Sequence, residues 1–130
     1  MKVQQFDPVI YPFYLWIIDE SDVEGVRDMF MHTDGTPVTL VPSEGAIAYT
    51  MKGVVVRDDD YGFLVVLDKK DRITAGSMAH EATHVARCIW DHLLEFSTGG
   101  EADAYLVQWI VDCIEKVRDN DKQETNNSIS

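Results

Sequence analysis

The sequence predicts an α+β domain: a mixed or antiparallel sheet, with two long helices at its C-terminal end. Three observations carry this. Short β-branched and aromatic runs occupy the first half, above all residues 13–18 and 63–67. Turn chemistry punctuates them at His32-Thr33-Asp34-Gly35-Thr36-Pro37 and Asp58-Asp59-Asp60-Tyr61-Gly62. From about residue 74 the apolar spacing changes to threes and fours, the period of a helix.

Taken in order, residues 13–18 read as a buried strand, and Ser21 with Glu24 forms a capping box for a short helix near 22–31. Strands follow near 38–41, 46–51 and 53–57, the last pairing as a hairpin with 63–67 across the polar turn. A charged connection, 68–72, leads to a helix over 74–95 with Ala79, Ala82, Ala86, Ile89 and Leu93 on its apolar face. A second helix, from about 98, carries Ala102, Leu106, Trp109, Ile110, Cys113, Ile114 and Val117. Trp16, Trp90 and Trp109 read as core or interface anchors, and Tyr105 as a core residue with a satisfied hydroxyl. One domain, 1–118, is expected, with a polar, disordered tail at 119–130.

Composition narrows the partners. With 23 acidic against 11 basic residues, the formal charge is -12, which repels phosphate backbones and anionic membrane surfaces. Neither nucleic acid nor membrane is expected as a partner. The apolar stretch 11–18 is interrupted by Pro12 and lacks a basic flank, so it does not read as a secretory signal. No segment reaches the roughly 20 apolar residues of a membrane helix. Cys88 and Cys113 fall in predicted helices without a C-x-x-C partner, and read as buried free thiols. A cytoplasmic location is the expectation.

Chemistry concentrates in His80-Glu81-Ala82-Thr83-His84, an H-E-x-x-H sequence inside the first long helix. Residues i and i+4 of a helix lie one above the other, so both imidazoles can reach one metal ion from the same face. Glu81 follows His80 by about 100° around the axis, which sets its carboxylate beside the metal as a general base for bound water. A catalytic zinc needs a third protein ligand and an open fourth position. The H-E-x-x-H-x-x-G-x-x-H pattern of metzincins is absent, because Arg87 and Trp90 stand at its glycine and third histidine. Asp91 and His92 lie about 10–12 Å beyond His84 on a straight helix, and Cys88 cannot join two preceding i, i+4 ligands on one ion. Glu101, 17 residues after His84, opens the next helix, and an extended connector can bring it back. Thr98-x-x-Glu101 is also a capping box, so the carboxylate has two competing roles.

The stretch 80–110 resembles the gluzincins, the thermolysin-type zinc peptidases, and is similar to their minimal single-domain versions and to the ImmA-like peptidases of mobile elements. The resemblance covers about a quarter of the chain. It implies a small zincin-like domain with zinc held by His80, His84 and Glu101, and Glu81 as general base. It also implies an edge strand before the active-site helix, a place taken here by 63–67, with an extended peptide in the cleft between them. Two features depart from the pattern. Tyr105 occupies the position of the aspartate that orients the first histidine, with Asp103 as its nearest substitute, and the transition-state donor is open among Tyr61, His32 and His92.

The function expected is therefore zinc-dependent hydrolysis of a peptide bond in a short peptide or flexible protein segment. The alternative is a catalytically weak zincin-fold protein that binds a basic partner through its acidic surface.

Overall fold

The computed structural model describes residues 3–8, 13–19, 23–39, 47–51, 53–92 and 101–119. In chain order they form strands β1 (Val3–Phe6) and β2 (Tyr14–Ile18) and helix α1 (Val23–Met29). Strands β3 (Met31–His32), β4 (Tyr49–Thr50), β5 (Val55–Arg57) and β6 (Asp60–Val66) follow. A 3₁₀ turn at Lys70–Arg72 precedes helices α2 (Ala75–His92) and α3 (Glu101–Arg118). The fold is α+β with a mixed six-stranded sheet, as the sequence predicts.

The sheet runs β1-β2-β6-β5-β3, and β4 pairs with the far end of β6. β2 and β6 are parallel, with Leu15 opposite Phe63 and Ile17 opposite Val65; the other pairings are antiparallel. β5 and β6 form the expected hairpin, but its turn is shorter than five residues. Asp58 and Asp59 both adopt positive φ, 49° and 69°, in a two-residue loop whose twist matches that of the strands, so β6 already begins at Asp60.

Side chains alternate between two cores. Phe13, Leu15, Ile17, Phe63, Val65 and Leu67 point to the face covered by α2 and α3. Trp16, Ile18, Leu64 and Val66 point to the other, where Val26 and Phe30 of the α1 region and Val38 close over them. Both strands are apolar without interruption because both faces are covered, as in strands at the centre of a sheet. Gly62 is required where β2 crosses β6. A Cβ there would press into the Tyr14 carbonyl oxygen and come within 2.6 Å of the Trp16 ring. The Trp16 indole N–H is held by Gln5 Oε1 at 2.9 Å.

Several expectations need correction. Residues 38 and 39 are not strand, because Val38 is used as a plug in the second core after a single bridge between Met31 and Pro37. The strand expected at 46–51 is confined to Tyr49–Thr50 among the described residues. The apolar face of α2 is built from Met78, Ala82, Val85, Ala86 and Ile89, while Ala79 is exposed. On α3, Leu106, Ile110, Cys113, Ile114 and Val117 are buried, and Ala102 is exposed. Tyr105 is 65% exposed rather than a core residue, since it lies about 100° around the helix from Leu106. Ser21, Leu93, Thr98 and the tail beyond 119 lie outside the described residues.

Candidate active site

α2 is set in place at its start by two side chains. Thr74 Oγ1 accepts the Ser77 N–H at 3.2 Å, capping the first turn. Just before it, Lys70 donates to the buried Asp19 carboxylate at 3.3 Å, tying the 3₁₀ turn to the end of β2. The helix then packs its apolar stripe on the sheet, which leaves the opposite face to solvent.

His80 and His84 are on that exposed face. Their Nε2 atoms lie 3.1 Å apart, with the rings nearly perpendicular at 83°. Two imidazoles on a tetrahedral zinc at about 2.05 Å each hold their nitrogens about 3.3 Å apart, close to the spacing of this pair. The same spacing also suits a shared proton, one ring donating to the other. Along this face runs a shallow open depression of about 370 Å³, lined by Gly76, Ala79, His80, Thr83, His84 and Arg87.

Glu81 reaches the sheet and is 6% exposed, one of two buried charged residues among those described. Thr50 of β4 donates its hydroxyl to Glu81 Oε1 at 3.1 Å, and Thr50 Oγ1 also lies 3.5 Å from the Glu81 carbonyl oxygen. Strand alternation produces this contact. Tyr49 and Met51 pack in the second core, so Thr50 between them faces α2. Nothing in the sequence marks Thr50, because its partner is 31 residues away.

The remaining expected site residues divide. Glu101 is the first residue of α3, so the acidic residue does open the second helix; its side chain lies outside the described residues. Among the described residues no group of three His, Cys, Asp or Glu side chains surrounds one point. Asp103 accepts the Trp90 indole N–H at 2.8 Å, so its carboxylate serves the α2–α3 contact instead of orienting a histidine. His92 stands edge-on to Phe13 at 4.7 Å, about 12 Å along the helix from His84. Tyr61 lies on β6 four residues, or about 13 Å, before Val65, the partner of Thr50. His32 pairs with Val55 on β3, at the end of the sheet order. None of these three is brought to the His80–His84 pair by a hydrogen bond or ring contact. Cys88 and Cys113 are free thiols, and burial pushes Cys113 up to about 12.

The cleft expected beside residues 63–67 is corrected by the sheet order. β6 has β2 on one side and β5 and β4 on the other, so its backbone groups are already paired. β4, which pairs with the far end of β6, contacts α2 through Thr50.

Among the described residues no helix is long and apolar enough to cross a membrane. Comparison with protein-family models, with curated proteins and with solved structures returned no match.

Proposed function

We propose that the chain is a zinc-dependent peptidase in which His80 and His84 hold one zinc ion, Glu101 completes the ligand set and Glu81 is the general base. The observation that carries this reading is the convergence of the two Nε2 atoms at 3.1 Å on the helix that also bears a buried carboxylate. When bound, zinc supplies a Lewis acid that acidifies water towards a pKa of about 7 and polarises a carbonyl. His80 and His84 would hold the ion through Nε2, each ring then keeping its proton on Nδ1. Glu81 accepts a proton from the attacking water and passes it to the leaving amine.

The substrate is a short peptide or a flexible protein segment, laid extended along β4 rather than β6. The openness of the depression beside His80 and His84 supports a flexible segment over a small molecule that needs enclosure. The two free thiols support a cytoplasmic, reducing setting. A second reading, a zincin-fold protein with little turnover that docks a basic partner, is favoured by the charge of -12 and by the exposed Asp58-Asp59-Asp60 turn.

Glu81→Gln tests the choice. The variant is expected to keep its zinc while chelator-sensitive cleavage of a mixed peptide library falls about a hundredfold or more. Cleavage equal in wild type and variant would remove Glu81 from the mechanism. Full zinc occupancy with no cleavage by the wild type would favour the binding protein.

A further inference from the structure

We infer that Thr50 is a positioning residue for Glu81, holding carboxylate oxygen Oε1 so that Oε2 is the oxygen presented to water. The inference rests on the peptidase reading above and adds a residue that the sequence motif does not contain.

In the 3.1 Å contact Thr50 Oγ1 is the donor and Glu81 Oε1 the acceptor. The hydroxyl carries one proton and has two acceptors in reach. The carboxylate takes it, being closer than the carbonyl oxygen at 3.5 Å. Oε2 makes no hydrogen bond among the described residues. Tyr49 Oη is the one fully enclosed side-chain oxygen or nitrogen without a partner among them, so Oε2, though on a buried residue, is not fully enclosed. The two oxygens of Glu81 are thus unequal: one is tied to the sheet, the other makes no hydrogen bond among the described residues.

The donor itself is rigidly mounted. Threonine is branched at Cβ and has a restricted χ1, so its hydroxyl direction follows the backbone. That backbone is locked to β6 by the pairs Tyr49–Val66 and Thr50–Val65, and by the Met51 N–H to Leu64 carbonyl bond at 2.9 Å. Packing alone does not call for the hydroxyl, because valine has the same shape and β6 supplies apolar neighbours on this face. A free glutamate side chain has three rotatable bonds, and fixing one oxygen removes most of that freedom before substrate arrives.

The test uses the full chain loaded with zinc and a peptide whose cleavage by the wild type is abolished by a chelator. Thr50→Val and Thr50→Ala are each expected to keep stoichiometric zinc and a KM within about twofold, while kcat falls about tenfold. Thr50→Ser should restore most of the loss, because it returns the hydroxyl. In a Glu81→Gln background, Thr50→Val should change kcat by less than about twofold, since there is no longer a base to position. Wild-type kcat in both Thr50→Val and Thr50→Ala would overturn the role. So would an equal loss in the Glu81→Gln background together with no rescue by serine, which marks a structural effect. Should the wild type show no chelator-sensitive cleavage, the peptidase reading fails first and the Thr50 role with it; wild-type activity with unaffected Thr50 variants sinks the Thr50 role alone.

Discussion

Trp90 donates its indole N–H to Asp103 Oδ1 at 2.8 Å, a bond that spans the two helices carrying the proposed metal ligands. Trp90 is six residues after His84 on α2, and Asp103 two residues after Glu101 on α3. The pair therefore fixes how the start of α3 lies against the end of α2. Asp103→Ala should cost about 1–3 kcal/mol, read as a lowered urea midpoint, because it removes a charged acceptor from a half-buried contact. Asp103→Asn, which keeps an acceptor oxygen, should lose less. An unchanged midpoint in the alanine variant would show that the helices are held by their apolar faces alone.

Metal content tests the ligand set directly. His80→Ala and His84→Ala should each lose most of the zinc, since neither imidazole holds the ion alone. Glu101→Gln should keep its helix content by circular dichroism, because glutamine also serves in a capping box, yet bind zinc far more weakly. Unchanged zinc affinity in that variant would give the third position to another residue.

Gly62 is expected to be intolerant of any side chain. Its Cβ would meet the Tyr14 carbonyl and the Trp16 ring, which is itself buried and held by Gln5. Gly62→Ala should destabilise the fold by about 1–3 kcal/mol, as overpacking of a closed core does. A thermal midpoint within a degree or two of wild type would mean that β2 and β6 separate more easily than their register implies.

Tyr49 supplies a prediction of the opposite sign. Its hydroxyl is enclosed without a hydrogen-bond partner, and burial, reinforced by the charge of Asp68, pushes the phenol from 10.0 up to about 12. Tyr49→Phe removes that unsatisfied group, and should be neutral or stabilising by up to about 1 kcal/mol near pH 7. The pH dependence follows from linkage. An acid whose folded pKa is raised keeps its proton while the unfolded chain loses it, so the unfolded state binds fewer protons and stability falls as pH rises. For Tyr49 the window runs from 10.0 to about 12, and Cys113, raised by burial from 9.0 to about 12, acts in the same direction from a lower pH. Denaturant midpoints between pH 8 and pH 11 should therefore decline less in Tyr49→Phe than in wild type. Parallel declines would place the phenol in water.

How far the sequence alone reaches depends on whether a feature is local. The H-E-x-x-H spacing sets His80 and His84 on one face of a helix whatever the rest of the chain does, because the helical period is intrinsic to the backbone. The hairpin of 53–57 with 63–67, the turn at 32–37 and the two C-terminal helices were legible for the same reason: each is encoded by a run of adjacent residues. The uninterrupted apolarity of Phe63, Leu64, Val65, Val66 and Leu67 also carried more than strand character. It marks a strand covered on both faces, the reason β6 lies inside the sheet and not at its edge.

Tertiary structure decided what no local pattern encodes. Strands β1 and β3 are too short and too polar to stand out, and exist because β2 and β5 offer them partners. Tyr105 was placed in solvent by the rotation of α3 about its axis, a choice made by Leu106, Ile110 and Val117 meeting the sheet. Asp103 was claimed by Trp90, and Glu81 by Thr50, through contacts spanning 13 and 31 residues. Sequence determines which side chains share a helix face, since that geometry is built into 3.6 residues per turn. Which distant groups those faces meet depends on how strands and helices pack to bury apolar surface, and that is settled only when the whole chain has closed around its two cores.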